Sequence, residues 1–421
     1  SASCAHGGLG FVTPAWLAAS AASSEHLVTA LAVGRFDGDD FDDLAIGAPG
    51  EVVGGVAAGA VFVLRGGTNG LGFLRTITQT TPGGGQNNAG DRFGAALAAG
   101  DLTAIGRDAL IVGAPGDRAS DAGEATGAIY AYQFIADGTA LHKPTRFTYA
   151  SAGDEFGAAL AVGKLDGDGR ADLAVGNPGR SSDTGQVFVF AGRTPPENPL
   201  LWSSMVQVKA VLEGPSPAAR FGAALAIGNL TMGNISTPEL AIGAPGVSSG
   251  RGQVTIRQVA TDFTSTTFTT LTDSAAVINQ RFGAALAVGN IDDTTVSTDL
   301  IIGEPGRSGG RVLIALGGTA VTMTELRQYD PLGFDEDSGD RYGAALAVGH
   351  IDGWGNIDDT DDKRFTSSRR LDLVVGAPGE APDILASEDP AGAGAFYTVL
   401  GRASQAPVRA RAWHQERTGG I

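Results

Sequence analysis

The sequence predicts an all-β chain folded as a β-propeller of four-stranded antiparallel blades, and three observations predict it. A phrase of two apolar runs closed by Gly-X-Pro recurs six times along the chain. Each unit holds four short segments of strand character and no run of helical period and length. Glycine supplies 64 of the 421 residues without a Gly-X-Y period, which excludes collagen and points to tight turns between strands.

The repeat is the first element. Its Gly-X-Pro triplets are Gly47-Ala48-Pro49, Gly113-Ala114-Pro115, Gly176-Asn177-Pro178, Gly243-Ala244-Pro245, Gly303-Glu304-Pro305 and Gly376-Ala377-Pro378. They fall about 60–73 residues apart, a period that marks a repeat architecture and overrides a domain count taken from length. A second landmark precedes each unit after the first: Arg92-Phe93-Gly94, Glu155-Phe156-Gly157, Arg220-Phe221-Gly222, Arg281-Phe282-Gly283 and Arg341-Tyr342-Gly343. The first unit carries His26-Leu27-Val28 in its place. After each aromatic comes Gly-Ala-Ala-Leu-Ala.

The strands are the second element. Runs such as Gly59–Leu64 and Gly185–Phe190 are rich in β-branched and aromatic residues, and more polar runs such as Phe73–Thr78 follow them. One four-stranded sheet of this composition cannot bury both faces, whereas blades packed around an axis can. The small residues of the LAVG-like runs suit the innermost strand, where backbones approach closely. The recurring Phe reads as a wedge between blades, each contributing roughly 1.5–3 kcal/mol by burial. The boundaries follow: an N-terminal segment, 1–25, then one propeller domain, 26–421, with units at about 26–91, 92–154, 155–219, 220–280, 281–340 and 341–421. Val408–His414 reads as the fourth strand of the last unit, and Phe11–Ala18 offers a further, ring-closing strand. Six blades are expected, with a ring containing an irregular seventh as the alternative.

Composition narrows the function. The net charge is −17, so phosphate backbones are repelled and nucleic acid is not an expected partner, nor is an anionic membrane surface. Metal cations and cationic partners are favoured, although acidity also serves solubility alone. Cys4 is the single cysteine, so no intrachain disulfide forms. Ala2-Ser3-Cys4 resembles the end of a bacterial lipoprotein signal, which sets a lipid anchor at Cys4 against an incidental thiol. No apolar run of about 18 residues predicts a transmembrane helix.

The paired landmarks, Phe-Gly and Gly-Ala-Pro, resemble the FG-GAP repeat family over roughly residues 26 to 416. That family includes the propeller of integrin α subunits and many secreted bacterial proteins. The resemblance implies a propeller, a secreted or cell-surface location, calcium-stabilised loops and a role in cell adhesion or ligand binding. The best-known members have seven blades. The family's loop places oxygen ligands at positions 1, 3, 5 and 9 and a backbone carbonyl at 7. Carried onto this chain, positions 3, 5, 7 and 9 are Asp37, Asp39, Phe41 and Asp43 in the first unit, and Asp166, Asp168, Arg170 and Asp172 in the third. Carboxylates at alternate positions supply the six to eight oxygens that a hard cation such as calcium takes. Position 1 departs from the pattern, being Arg35 and Lys164. Three readings follow: structural calcium despite the departure, a tethered cation pairing with the carboxylates, or a solvated turn. The second unit, with Asp101 followed by Thr103, Ile105 and Ala109, reads as empty. Asn229 and Glu239, then Asn290, Asp292 and Asp299, are weaker sets, and the acidic insertion Asp352–Asp362 is either a metal loop or a solvated one.

An enzyme is not expected. The five histidines show no zinc spacing, no G-x-S-x-G elbow is present, and a terminal cysteine is a poor nucleophile. The expected partner is a protein or carbohydrate ligand outside the cell. An adhesion propeller leads, a lectin is the alternative, and a polysaccharide-active enzyme on a propeller scaffold is the second alternative. Trp16, Trp202, Trp354 and Trp413 fall at different places in their units, so no repeated sugar site is evident.

Overall fold

A computed structural model of the chain describes residues 29–68, 70–81, 85–118, 123–135, 141–142, 144–193, 206–230, 238–260, 262–275, 277–291, 298–306, 309–316, 323–326, 339, 341–349, 372–378, 395–399 and 410–414. Cys4, the Phe11–Ala18 segment, Trp16, Trp202, Trp354, Asp292 and the Asp352–Asp362 insertion lie outside the described residues.

The fold is an all-β propeller of antiparallel sheets. The first sheet runs β1 (Ala30–Gly34), β2 (Asp43–Ala48), β5 (Ala60–Arg65), β6 (Gly72–Ile77), with a small hairpin of β3 (Val52–Val53) and β4 (Val56–Ala57) at its rim. The second runs β7 (Ala96–Gly100), β8 (Ala109–Ala114), β9 (Ala128–Tyr132), β10 (Thr145–Phe147). The third takes β11 (Ala159–Gly163), β12 (Asp172–Asn177), β13 (Gln186–Gly192) and β14 (Val206–Glu213). The fourth takes β15 (Ala224–Gly228), β16 (Glu239–Gly243), β17 (Val254–Val259) and β18 (Ser265–Leu271). The fifth takes β19 (Ala285–Gly289), β20 (Asp299–Gly303), β21 (Val312–Ala315) and β22 (Met323–Leu326). The last takes β23 (Ala345–Gly349), β24 (Asp372–Ala377), β25 (Ala395–Val399) and β26 (Ala410–His414). Within each sheet the strands follow sequence order from the inner edge outward.

Burial follows the sequence pattern. The second strands β8 and β12 are buried along their whole length, as their unbroken apolar runs require when both faces are covered. The outermost β6 is largely open to solvent and carries more polar residues. Between third and fourth strands the register slips by one residue, between Val63 and Leu64, Val189 and Phe190, and Ile256 and Arg257. Such bulges sharpen the strand twist that a blade needs.

The two landmarks build the seams. In the second, third, fourth, fifth and sixth units the residue before the aromatic accepts a backbone hydrogen bond three residues on, for example Ala158 N–H to Glu155 C=O at 3.1 Å. Gly157 sits at φ +87° in that turn, which is the position where a type II turn demands glycine. The turn throws Phe156 into the seam against Phe188, at 5.4 Å between ring centroids. Phe93, Phe156, Phe221, Phe282 and Tyr342 are all fully buried or nearly so. Each pairs with the preceding blade where that blade's third strand begins; parallel bridges join Gly127 to Phe156, Gly185 to Phe221, Gly252 to Phe282 and Gly310 to Tyr342. The first glycine of Gly-X-Pro is fixed by the same seam: a β-carbon on Gly176 would lie 2.0 Å from the Gly222 carbonyl oxygen of the next blade.

Along the axis the inner strands interlock. The terminal glycine of each receives a side chain from the next, Gly34 from Ala99, Gly100 from Val162, Gly163 from Ile227 and Gly228 from Val288. Contacts run in this order from β1 through β7, β11, β15 and β19 to β23. At the two ends of the series, Leu31 and Val33 of β1 are 56% and 61% exposed, and the space beside Gly349 of β23 is open.

This layout gives the propeller two rims. One carries the loops between first and second strands, where the carboxylate motifs lie. The other carries the Phe-Gly turns, the Gly-X-Pro turns and the links from one blade to the next.

Candidate functional site

The first loop, between β1 and β2, is held by its own carboxylates. Asp43 is fully buried; its Oδ2 accepts the Phe36 N–H at 2.9 Å and the Asp37 N–H at 3.4 Å, and its Oδ1 accepts the Gly66 N–H at 2.9 Å. Asp37 Oδ1 accepts the Asp39 N–H at 3.0 Å, and Asp39 Oδ1 accepts the Phe41 N–H at 2.8 Å. These are Asx-type turns, which curl the loop without help from an ion. A tethered cation, one of the three readings, does meet this loop, but it is not Arg35. Arg35 points outward to Asp42 at 3.3 Å, because the strand alternation sends its neighbour Phe36 into the core instead. The cation that meets the loop is Arg65, from the end of β5: Nε lies 2.6 Å from Asp37 Oδ2 and Nη2 lies 3.1 Å from Asp39 Oδ2.

The third-blade loop, between β11 and β12, repeats the frame. Asp172 Oδ2 accepts the Leu165 N–H at 2.7 Å and the Asp166 N–H at 3.3 Å, and its Oδ1 accepts the Gly192 N–H at 3.0 Å. Asp166 Oδ1 accepts from Asp168 at 2.9 Å, and Asp168 Oδ1 from Arg170 at 2.8 Å. Lys164 at position 1 is exposed. Here no arginine enters from the third strand; Ala191 stands where the first blade has Arg65. Arg170 turns back on its own loop, Nη2 lying 2.6 Å from Asp168 Oδ2.

The electrostatics differ accordingly. Asp39 is held below its ordinary value, first by the Phe41 N–H and then by Arg65. Burial pushes Asp43 up. Burial also raises Asp166, and it pushes Asp172 up to about 6, with the Asp166 charge adding to the effect. A carboxyl raised in the folded state above its unfolded value opposes folding once it ionises. The cation-free protein is therefore expected to lose stability as pH rises from about 4 to about 6, by a few kcal/mol at most. Urea midpoints at pH 4.5 and 7 in chelator, for wild type and Asp172→Asn, check this. The variant should lose a large part of the pH dependence in that window, the rest belonging to Asp43 and Asp166; identical profiles would remove Asp172 as a source.

The ninth position accepts backbone N–H groups in every loop where it is acidic and described with its side chain. Glu239 accepts the Leu230 N–H and Asp299 the Ile291 N–H, both at 2.8 Å, and both are fully buried. In the second loop, with Ala109 at that place, Asp101 takes over and accepts from Thr103, Ile105 and Gly106. The donor set of the two principal loops, carboxylates with a main-chain carbonyl, is of the chemical type a hard cation takes. Among the described residues, however, no three His, Cys, Asp or Glu side chains are gathered as a metal centre.

The opposite rim holds two polar clusters that the motifs did not announce. At the first seam, Gln79 from the blade link meets Asp117, Tyr130 and Arg146 of the second blade. The Tyr130 hydroxyl donates to Asp117 at 2.5 Å, Gln79 Nε2 donates to the same oxygen at 3.2 Å, and Arg146 Nη2 reaches Asp117 Oδ1 at 2.6 Å. At the fourth seam, Asp273 occupies the place of Gln79, and buried Arg311 binds Asp273 and Glu304 while reaching Glu325 at 3.4 Å. Glu304 in the Gly-X-Pro triplet was the one available sign. At the second seam the same place is Tyr149, half exposed over Phe188 and Phe190 at 5.7 and 5.6 Å. Also on this rim, in the link between the fourth and fifth blades, Val277 and Ile278 are 60% and 61% exposed.

No helix among the described residues is long and apolar enough to cross a membrane. The FG-GAP repeat model matches residues 27–64 and 156–190, the parts that hold the two carboxylate loops. The chain is 32% identical to integrin alpha-PS2 of Drosophila melanogaster over 235 residues, which is 54% of this chain and 16% of that protein. It is 32% identical to integrin alpha-5 of Xenopus laevis over 42% of this chain and 16% of the relative. It is also 32% identical to the phosphatidylinositol-glycan-specific phospholipase D of Rattus norvegicus, over 36% of this chain and 18% of the relative. The chain thus spans less than a fifth of the length of these relatives. With the turns, seams and loops described above, these matches identify the repeat: the chain is a β-propeller that carries FG-GAP repeats and is similar to integrin α chains over the matched part.

Proposed function

We propose that this propeller is an extracellular adhesion or ligand-binding module of six blades that binds a protein partner through the rim of Phe-Gly turns. The observation that carries the reading is the repeat it shares with integrin α chains, set on a scaffold whose rim exposes Tyr149, Val277 and Ile278 beside the seams. A rigid sheet body with loops at its rim suits recognition. We also propose calcium in the third-blade loop, where Asp166, Asp168 and Asp172 would hold the ion with the Arg170 carbonyl. The donor chemistry supports it, as does Ala191 in the place of Arg65, which leaves Asp166 without a third-strand cation; Arg170 pairs with Asp168 and would turn outward when the ion binds. Its part there is to tie two strands together, not to carry out chemistry.

The test is a binding screen of the whole chain against matrix proteins beside a glycan array, with calcium and with chelator. Binding to proteins that weakens at least tenfold in Tyr149→Ser or in Val277→Asp/Ile278→Asp supports the proposal. Calcium-dependent binding to glycans alone would replace it with the lectin reading, and binding untouched by both variants would move the site off this rim.

A further inference from the structure

We infer that Arg65 is a built-in counter-cation for the first-blade loop, so that this loop, though its carboxylates match those of the third blade, takes no divalent ion. The inference rests on a full account of the carboxylate oxygens. Asp37 Oδ1 holds the Asp39 N–H and Asp37 Oδ2 faces Arg65 Nε at 2.6 Å. Asp39 Oδ1 holds the Phe41 N–H, and Asp39 Oδ2 accepts Arg65 Nη2 at 3.1 Å. Both oxygens of Asp43 accept backbone N–H groups. Five of the six carboxylate oxygens accept a hydrogen bond; the sixth, buried Asp37 Oδ2, meets Arg65 Nε in an ion pair, so one guanidinium bridges Asp37 and Asp39. A planar fork suits this place because it reaches two carboxylates at once, which an ammonium on a single stem does not.

The contrast with the third blade sharpens the point. Both loops share the turns at positions 3 and 5 and the buried ninth carboxylate. They differ in the residue before the glycine that caps that carboxylate: Arg65 before Gly66, Ala191 before Gly192. In the third blade Arg170 forms its ion pair with Asp168, so the residue on the third strand decides whether the carboxylates at positions 3 and 5 are bridged together from within the chain. This stands whether or not the third-blade loop takes an ion.

Calorimetric titration of the whole chain with calcium separates the two. In an Asp168→Asn background, which disables the third-blade loop, no calcium uptake should depend on Asp39. Adding Arg65→Ser should create one further site, at least tenfold tighter than anything the background shows there, and Asp39→Asn should abolish it. Arg65→Lys keeps a charge at the loop and should bind calcium more weakly than Arg65→Ser. Should Arg65→Ser melt early in chelator, millimolar calcium should restore its midpoint while leaving that of the Asp168→Asn parent unmoved. Asp39-dependent uptake with Arg65 intact would overturn the inference. So would an Arg65→Ser chain that neither binds calcium nor recovers with it.

Discussion

Gly176→Ala is expected to destabilise the propeller by at least about 3 kcal/mol, the upper end of what overpacking costs. The added β-carbon would stand 2.0 Å from the Gly222 carbonyl oxygen and 3.3 Å from the Ala159 β-carbon. The first contact is with backbone, which cannot rotate away as a side chain would. Relief requires the third and fourth blades to separate, and Phe221 then loses its seam. Gly376→Ala is the control at the same motif position of the last unit. There the nearest atom to an added β-carbon is the Ala345 β-carbon at 3.2 Å, within its own sheet, so the cost should be much smaller. Denaturant midpoints of the two variants and wild type decide the matter. Equal losses would mean that the glycine serves its own strand and not the seam.

Arg311→Met should cost about 3–5 kcal/mol, the range for removing one partner of a buried ion pair. Arg311 is buried between Asp273 and Glu304 and reaches Glu325, so its loss leaves two buried carboxylates without a counter-charge. Four of the six Gly-X-Pro triplets carry alanine where Glu304 stands. Arg311→Met combined with Glu304→Ala should therefore recover part of the loss, since an apolar pair can replace an ionic one. The single variant should also regain stability toward acid, as its stranded carboxylates take up protons. A double variant no more stable than the single would show that the cluster matters for packing and not for charge.

The landmarks of this fold are legible in sequence because each answers a local demand. A type II turn needs glycine after the aromatic of Phe156-Gly157, and a neighbour's carbonyl leaves no room for a side chain at Gly176. Such demands recur unit by unit, so they print the same letters each time. The carboxylate loops are legible for the same reason, since Asp37 and Asp39 curl the chain at fixed spacing. What sequence does not show is Arg65. It lies 26 residues from Asp39, and only the pairing of β5 with β2 brings it to the loop. Arg35 looks like the tethered cation because it is adjacent in the chain, yet strand alternation turns it away. The seam clusters hide in the same way. Gln79, Tyr149 and Asp273 stand at equivalent places but share no chemistry, so no motif marks them.

The order of strands within each sheet carries a consequence for how such a protein changes length over evolutionary time. Every sheet draws its four strands from one uninterrupted stretch of chain, from β1 to β6 and onward to β23 to β26. No described sheet is completed by a strand borrowed from the opposite end. A duplication or deletion of one repeat therefore adds or removes a finished blade and leaves no strand widowed. The circumference is set by how many interlocked steps of a glycine against an apolar side chain fit around the axis, a quantity that in-frame copying of whole repeats can alter one step at a time.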